Sequence, residues 1–243
     1  MREALALMLV AACGRFDFDG RALDAASSVD TPSSAACAYE LCDGFEGSAI
    51  ADVWTAIGNV SLDSTVAHRG SQSLHIHSDA VAAGSNVAIG IVETATLGSS
   101  NAPINLRVFA RFGSLPVNHM GLVGAAQVSD DPFADGVYET SGGLTVYSEF
   151  SNTSVESMVQ PTPGDWTCVT FGIVRADDAT GSLILGGDGS AELDDVATDG
   201  VPRLAAAGVG IAFASSTDVD AEPALDLWID DVIVANAPLT CAD

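Results

Sequence analysis

The chain has 243 residues, 48% of them hydrophobic, and a formal net charge of −25, with eight arginines and no lysine. This balance excludes the basic surface that nucleic acids require. It also argues against anionic polysaccharides as ligands, because their carboxylates or sulfates need Arg or Lys partners.

The first twelve residues are typical of a secretion signal. Arg2 is the one basic residue, an apolar stretch runs from Leu5 to Val10, and small residues precede Cys13. This ending suits a signal peptidase and resembles the bacterial lipoprotein box, in which the cysteine becomes the lipidated N-terminus. The resemblance implies an exported protein, anchored by lipid at the outer membrane or cell surface because Gly14 follows the cysteine. An ordinary signal peptide is the alternative.

Residues 13–36 are predicted to be the lipidated cysteine and a flexible linker. The stretch 22–36 is small and polar and has almost no core-forming side chains. A flexible segment of this size has a root-mean-square reach of roughly 25 Å. No apolar run approaches the roughly 20 residues that span a bilayer, so we expect membrane contact only through the lipid. Residues 37–243 then form one folded domain.

Beyond residue 37, short apolar runs alternate with Gly, Asp, Ser and Pro. In residues 104–112 every second side chain is apolar, and two arginines and an asparagine lie between them. This period of two predicts a strand with one wet face. Further strands are predicted at 73–77, 166–174, 209–213 and 225–234. Many short strands about ten residues apart predict an all-β sandwich or barrel.

Three short motifs resemble one group of folds. Residues 42–47 read Cys-Asp-Gly-Phe-Glu-Gly, residues 164–168 read Gly-Asp-Trp-Thr-Cys, and residues 225–234 contain Asp-Asp-Val in an apolar strand. Together they resemble the concanavalin A-like, LamG-type and carbohydrate-binding-module jelly rolls over residues 40–235. The resemblance implies an antiparallel two-sheet jelly-roll β-sandwich whose first and last strands are neighbours.

Four cysteines remain apart from Cys13. In an exported chain they suggest two disulfides, with three possible connectivities. Cys37 and Cys241 lie just outside the first and last strands, which are usually neighbours in a jelly roll. The resemblance therefore implies the pairs Cys37–Cys241 and Cys42–Cys168.

The resemblance also implies a structural calcium ion. In many carbohydrate-binding jelly rolls such an ion lies between a glutamate of the first strand and an aspartate of the last. Glu46 and Asp230 or Asp231 occupy those places here, and Asp43 is a further candidate. Calcium prefers several oxygen ligands, which these carboxylates offer. Surface carboxylates near turns are the alternative.

Aromatic side chains in the middle of the chain are candidates for sugar binding. Exposed rings stack on pyranose faces beside polar hydrogen-bonding groups. Tyr138, Tyr147 and Phe150 lie in a Gly- and Ser-rich region where ligand-facing strands are expected. Filling the sandwich is their alternative role. Trp54 and Trp228 have apolar neighbours, so we predict that both are buried in the core or at a sheet edge.

Two histidines could bind a metal. His75 and His77 lie two residues apart on a predicted strand, so both rings point to one face. Such a pair can supply two zinc ligands. The sequence identifies no third ligand and does not place His68 or His119, so histidines on the solvent face are the alternative.

No motif supports catalysis. Sandwich glucanases carry Glu-x-Asp-x-x-Glu on one strand, and the nearest match, residues 192–197, ends in alanine. The Arg-rich and Gln-x-His strands of alginate-lyase-like sandwiches are not found. We therefore predict a non-catalytic domain that recognises a neutral polysaccharide or a cell-surface protein. The alternatives are a glycoside hydrolase or lyase on the same fold, and a structural envelope protein without a ligand.

Overall fold

The computed structural model describes residues 37–93, 103–127, 134–140, 143–148, 153–157, 160–175, 180–188, 190–197, 204–213 and 220–242. The predicted signal peptide and linker, including Cys13, lie outside these ranges. Within these ranges all of the regular secondary structure is β-strand. The same ranges contain no helix that is long and apolar enough to cross a membrane.

The strands are numbered in chain order. They are β1 Leu41–Asp43, β2 Trp54–Ile57, β3 Val60–Asp63, β4 Ser73–Ser78, β5 Val87–Glu93, β6 Ile104–Phe112, β7 Met120–Gln127, β8 Ala134–Thr140, β9 Gly143–Ser148, β10 Thr153–Glu156, β11 Trp166–Arg175, β12 Thr180–Gly187, β13 Ala191–Ala197, β14 Leu204–Phe213 and β15 Leu225–Ala235.

These strands form two antiparallel sheets. The eight-stranded sheet has the order β13-β12-β11-β6-β15-β4-β3, with β1 paired to β15. The seven-stranded sheet has the order β10-β9-β8-β7-β14-β5-β2. The predicted all-β jelly-roll sandwich is confirmed, and its first and last strands are neighbours, with Cys42 of β1 opposite Ile233 of β15.

Alternate side chains of both sheets fill the core between them. Leu106 and Val108 of β6 and Val209 and Ile211 of β14 are buried there. The predicted wet face of β6 is wrong in part, because Arg107 on the opposite face is buried too.

Segments that flank β1 and β15 cover part of the same outer face. Residues 236–242 and Tyr39 return over the outer face of the eight-stranded sheet, the face that points away from the other sheet. There Leu239 and Tyr39 pack on Ile233 and Ala235 of β15, which lie opposite Arg107 and its neighbour Asn105 of β6.

The two predicted disulfides are present, but their predicted pairing is wrong. Cys37 bonds to Cys42, with 5.9 Å between their Cα atoms, and Cys168 bonds to Cys241, with 6.0 Å. β15 and β6 lie between β1 and β11, so Cys42 and Cys168 are about 14 Å apart, or three strand spacings. A disulfide spans less than about 7 Å between Cα atoms. The predicted Cys42–Cys168 bond is therefore out of reach. The predicted Cys37–Cys241 bond is excluded because each of these cysteines is bonded to another partner.

Candidate functional site

A row of glycines crosses the outer face of the seven-stranded sheet. Tyr147 of β9 lies opposite Gly136 of β8, Gly136 opposite Gly124 of β7, and Gly124 opposite Gly208 of β14. Val92 of β5 continues the row beyond Gly208. Val92 and Tyr147 are four strand spacings apart, about 19 Å. Three consecutive positions of this row have no side chain, and an aromatic residue lies at one end. We call this strip, formed by Gly136, Gly124 and Gly208, the glycine trough.

The backbone does not require a glycine at position 208 of this trough, in contrast to position 210 outside it. A Cβ atom added at Gly208 would meet no atom closer than 3.6 Å, which is ordinary contact. A Cβ atom at Gly210 would instead overlap the carbonyl oxygen of Ile89. Glycine at position 208 therefore keeps the face open without being needed for packing.

The alternation along β9 places the trough on the outside of the sandwich. Leu144 and Val146 are fully buried in the core, so the half-buried Tyr147 faces the other way. Thr145 shares that outer face and is 6% exposed. Among the described residues its hydroxyl has no hydrogen-bond partner. A buried hydroxyl without a partner is costly to the fold.

Two of the three predicted sugar-binding residues, Tyr138 and Tyr147, lie on the paired strands β8 and β9. Tyr138 of β8 lies opposite Thr145, two positions along the strand from Gly136. The backbone of Tyr138 is thus diagonal to that of Tyr147 on the neighbouring strand. Phe150 lies outside the described residues.

The seven-stranded sheet supplies no positive charge. Its strands β2, β5, β7, β8, β9, β10 and β14 contain no Arg, Lys or His in their sequences. An anionic sugar lying on these strands would find no cationic partner from them. The trough is therefore suited to an uncharged ligand.

The predicted calcium ligands near the end of β1 are already hydrogen-bonded. The two oxygens of Asp43 accept from the Phe45 amide and the Trp54 indole, each at 2.7 Å. Glu46 accepts from the Ser71 amide at 2.9 Å and the Ser71 hydroxyl at 2.6 Å. The bond from the Ser71 hydroxyl holds the pKa of Glu46 below its ordinary value.

Asp230 and Asp231 stand at a bulge in β15. Asp230 is fully buried, and its Oδ2 accepts from the backbone amides of His68 at 2.8 Å and Arg69 at 3.2 Å. Burial raises the pKa of Asp230 to about 6. Asp231 has a left-handed φ of 49°, and its Oδ2 lies 2.7 Å from His68 Nδ1. A Cβ atom on Gly44 would meet Oδ1 of both aspartates within 4.0 Å.

The first and last strands therefore meet as the resemblance implied, but the four carboxylates are divided. Asp230 and Asp231 lie together beside Gly44, whereas Glu46 is engaged with Ser71. Over the described part of the chain, the groups of three or more possible metal ligands include none of these four carboxylates. The calcium ion stays a prediction.

Trp54 is buried as predicted. The prediction that Trp228 is buried in the core or at a sheet edge is wrong. Trp228 is half-buried on the outer face of the eight-stranded sheet, between His75 of β4 and Arg111 of β6. The His75 ring stacks on its indole at 4.9 Å, and the Arg111 guanidinium carbon lies 5.2 Å from its ring centre. Both neighbours cover the indole, so Trp228 is not a sugar platform. Its shared parity with Asp226 was the sequence signal for an outward side chain.

Comparison with known proteins shows the fold. No family model and no curated protein matches the chain. Among solved structures, the cellulose-induced protein Cip1 is 18% identical with a TM-score of 0.60, covering 83% of this chain and 99% of Cip1. An endo-β-1,4-glucuronan lyase from the fungus Trichoderma reesei is 13% identical with a TM-score of 0.55, covering 82% and 92%.

The alginate lyase vAL-1 from a Chlorella virus is similar as well. It is 8% identical with a TM-score of 0.53, and the match covers 75% of this chain and 93% of the lyase. At such low identity the likeness establishes the fold alone. The chain is a jelly-roll β-sandwich of the concanavalin A-like type.

Proposed function

We propose that this chain is a surface lipoprotein whose jelly roll binds a neutral polysaccharide without cleaving it. The supporting observation is the glycine trough that ends at Tyr147. A flat, open strip beside an aromatic ring suits the flat face of a sugar chain.

The charge of the sheet favours a neutral ligand and argues against a lyase. A lyase that acts on a uronate must stabilise the negative charge that develops at its carboxylate. The strands that form the trough offer no Arg, Lys or His for that purpose. A glycoside hydrolase would need a carboxylate pair across the bond, and the glucanase motif lacks its last glutamate at Ala197.

The lipid anchor is part of the same proposal. Lipidation of Cys13 would place the domain at the outer membrane or cell surface, and residues 14–36 would hold it away from the membrane. Cells that express the wild type or Cys13→Ser are fractionated after feeding a labelled fatty acid. We expect label and membrane association in the wild type only. A Cys13→Ser variant that stays membrane-bound, with no label in the wild type, contradicts the anchor.

Affinity electrophoresis tests the ligand. The protein is run through gels that contain neutral glucans, xylan or galactomannan, beside gels with alginate or heparin, and each glycan is also assayed for released reducing ends. We expect retardation by a neutral glycan and no release. Tyr147→Ala and Gly208→Val should each weaken binding by about tenfold, which corresponds to ~1.4 kcal/mol. Ile184→Ala is the control, because Ile184 is exposed on the other sheet.

Three outcomes contradict the proposal. Tight calcium-independent binding to alginate or heparin would show that the ligand is anionic. Release of reducing ends that is lost in Glu192→Gln, at the first glutamate of the glucanase-like stretch 192–197, would favour an enzyme. No retardation by any glycan, with a normal melting curve, would favour a structural envelope protein.

A further inference from the structure

Two histidines and one aspartate meet on the outer face of the eight-stranded sheet. His77 of β4 lies directly opposite Asp226 of β15, and His75 precedes His77 by two residues on the same face. The three side chains are thus brought together by the register of two paired strands rather than by a loop. Strand pairing holds such side chains close together in the folded state.

The ligand atoms of the three side chains converge on one point. His75 Nε2 and His77 Nδ1 each lie 2.8 Å from Asp226 Oδ1. The side chains are 25%, 32% and 43% exposed for His75, His77 and Asp226 respectively. The cluster is therefore ordered by the sheet and open to solvent on its outer side.

Neighbouring side chains lie close to both imidazole rings. The second nitrogen of His77, Nε2, lies 3.5 Å from Asp79 Oδ1. A carboxylate on the far nitrogen of a metal-ligating histidine fixes the tautomer and directs the near nitrogen toward the ion. The His75 ring is held by Trp228, stacked at 4.9 Å with an interplanar angle of 16°. Trp228 in turn donates its indole N–H to Asp63 Oδ2 at 2.8 Å.

We propose that His75, His77 and Asp226 form a binding site for a divalent transition-metal ion of the zinc type. Two imidazole nitrogens and one carboxylate oxygen are a ligand set that zinc accepts. Calcium and magnesium instead prefer oxygen ligands throughout. Zinc bonds to nitrogen and oxygen are about 2.0–2.2 Å long. A bound ion would take the place of any proton on His75 Nε2 and His77 Nδ1, which would pass to solvent, and water would complete its coordination.

This site is separate from both sites considered above. It uses neither the tyrosines of the seven-stranded sheet nor the carboxylates beside Gly44. Its failure and the failure of glycan binding are thus distinguishable, because Tyr147→Ala leaves the metal ligands untouched.

Calorimetric titration of zinc into chelator-treated, untagged full-length protein tests the site. We expect one zinc ion per chain. His75→Asn and His77→Asn should each weaken zinc binding by at least about tenfold, since each removes one of three ligands. His119→Asn is the matched control, because His119 is an exposed histidine outside the cluster. Wild-type binding no tighter than that of the two variants, or an equal loss in His119→Asn, overturns the proposal.

A spectroscopic measurement tests the position of the ion. Copper(II) quenches the fluorescence of a nearby indole, and the Trp228 ring is stacked on His75. We expect one equivalent of copper to quench part of the tryptophan fluorescence of the wild type. In Trp228→Phe that quenched fraction should be lost, while zinc binding changes less than about threefold because Phe retains the stacked ring. Undiminished quenching in Trp228→Phe, or its persistence in the double variant His75→Asn/His77→Asn, places the ion elsewhere.

Discussion

The two disulfides should differ about twofold in their contribution to stability. Cys168–Cys241 closes a loop with a sequence separation of 73, whereas Cys37–Cys42 closes one of 5. A cross-link stabilises the fold mainly by removing conformational entropy from the unfolded chain, and this effect grows with the logarithm of loop length. With these two separations the expression predicts about 4.4 kcal/mol for the long loop and about 2 kcal/mol for the short one.

Urea unfolding of two double variants measures each bond separately. In Cys37→Ala/Cys42→Ala, the free energy of unfolding is compared between the oxidised and reduced protein, which isolates the bond between Cys168 and Cys241. The same comparison in Cys168→Ala/Cys241→Ala isolates the short loop. Because each comparison uses one sequence, loss of side-chain packing cancels.

The expected order is a larger loss on reduction in the first variant than in the second. Equal losses, or the reverse order, would refute the entropic reasoning. Peptide mapping of the wild type without reduction checks the pairing itself. A peptide that joins Cys37 to Cys241 would refute the connectivity from which both magnitudes were derived.

Three further predictions concern the core, acid sensitivity and calcium. Phe171→Ala should destabilise the fold by about 3–5 kcal/mol in urea unfolding because the Phe171 ring is fully buried. Ile184→Ala is the control and should cost less than about 0.5 kcal/mol because Ile184 is exposed. Similar losses of stability in the two variants would contradict the packing of Phe171. Hydrogen bonds to Asp63, first from the Thr65 hydroxyl and then from the Trp228 indole, hold its pKa below the ordinary 3.8. Its ionised form therefore stabilises the fold above pH 3.8, and this contribution is lost as the pH falls toward the lowered pKa. Asp63→Asn should therefore lose less stability than the wild type as the pH falls below 4. The same dependence of the unfolding free energy on pH in both proteins would contradict this role of Asp63. Calcium added to chelator-treated protein should raise the melting temperature if it binds the folded protein where β1 and β15 meet. An unchanged melting curve would contradict a structural calcium ion.

Patterns among residues close in sequence predicted strands and the faces of their side chains. The alternation in β6 predicted its strand, and the spacing of His75 and His77 predicted their common face. Both inferences depend only on the period of an extended chain, in which successive side chains point to opposite faces. The tyrosines of the middle region were likewise identified as candidates from composition, and the structure places Tyr138 and Tyr147 on paired strands.

Partners distant in sequence depended on the pairing of strands. Asp226 lies 149 positions from His77, and only the β4–β15 register brings it into the cluster with His75 and His77. The cysteine pairs were mispredicted because adjacency of the terminal strands does not show which edge of β15 each neighbour occupies. Trp228 was predicted to be buried from its apolar neighbours, although its parity with Asp226 faces it outward. Local patterns therefore determined the strands and their faces, whereas long-range register decided which side chains meet, because register depends on contacts between segments that are remote along the chain.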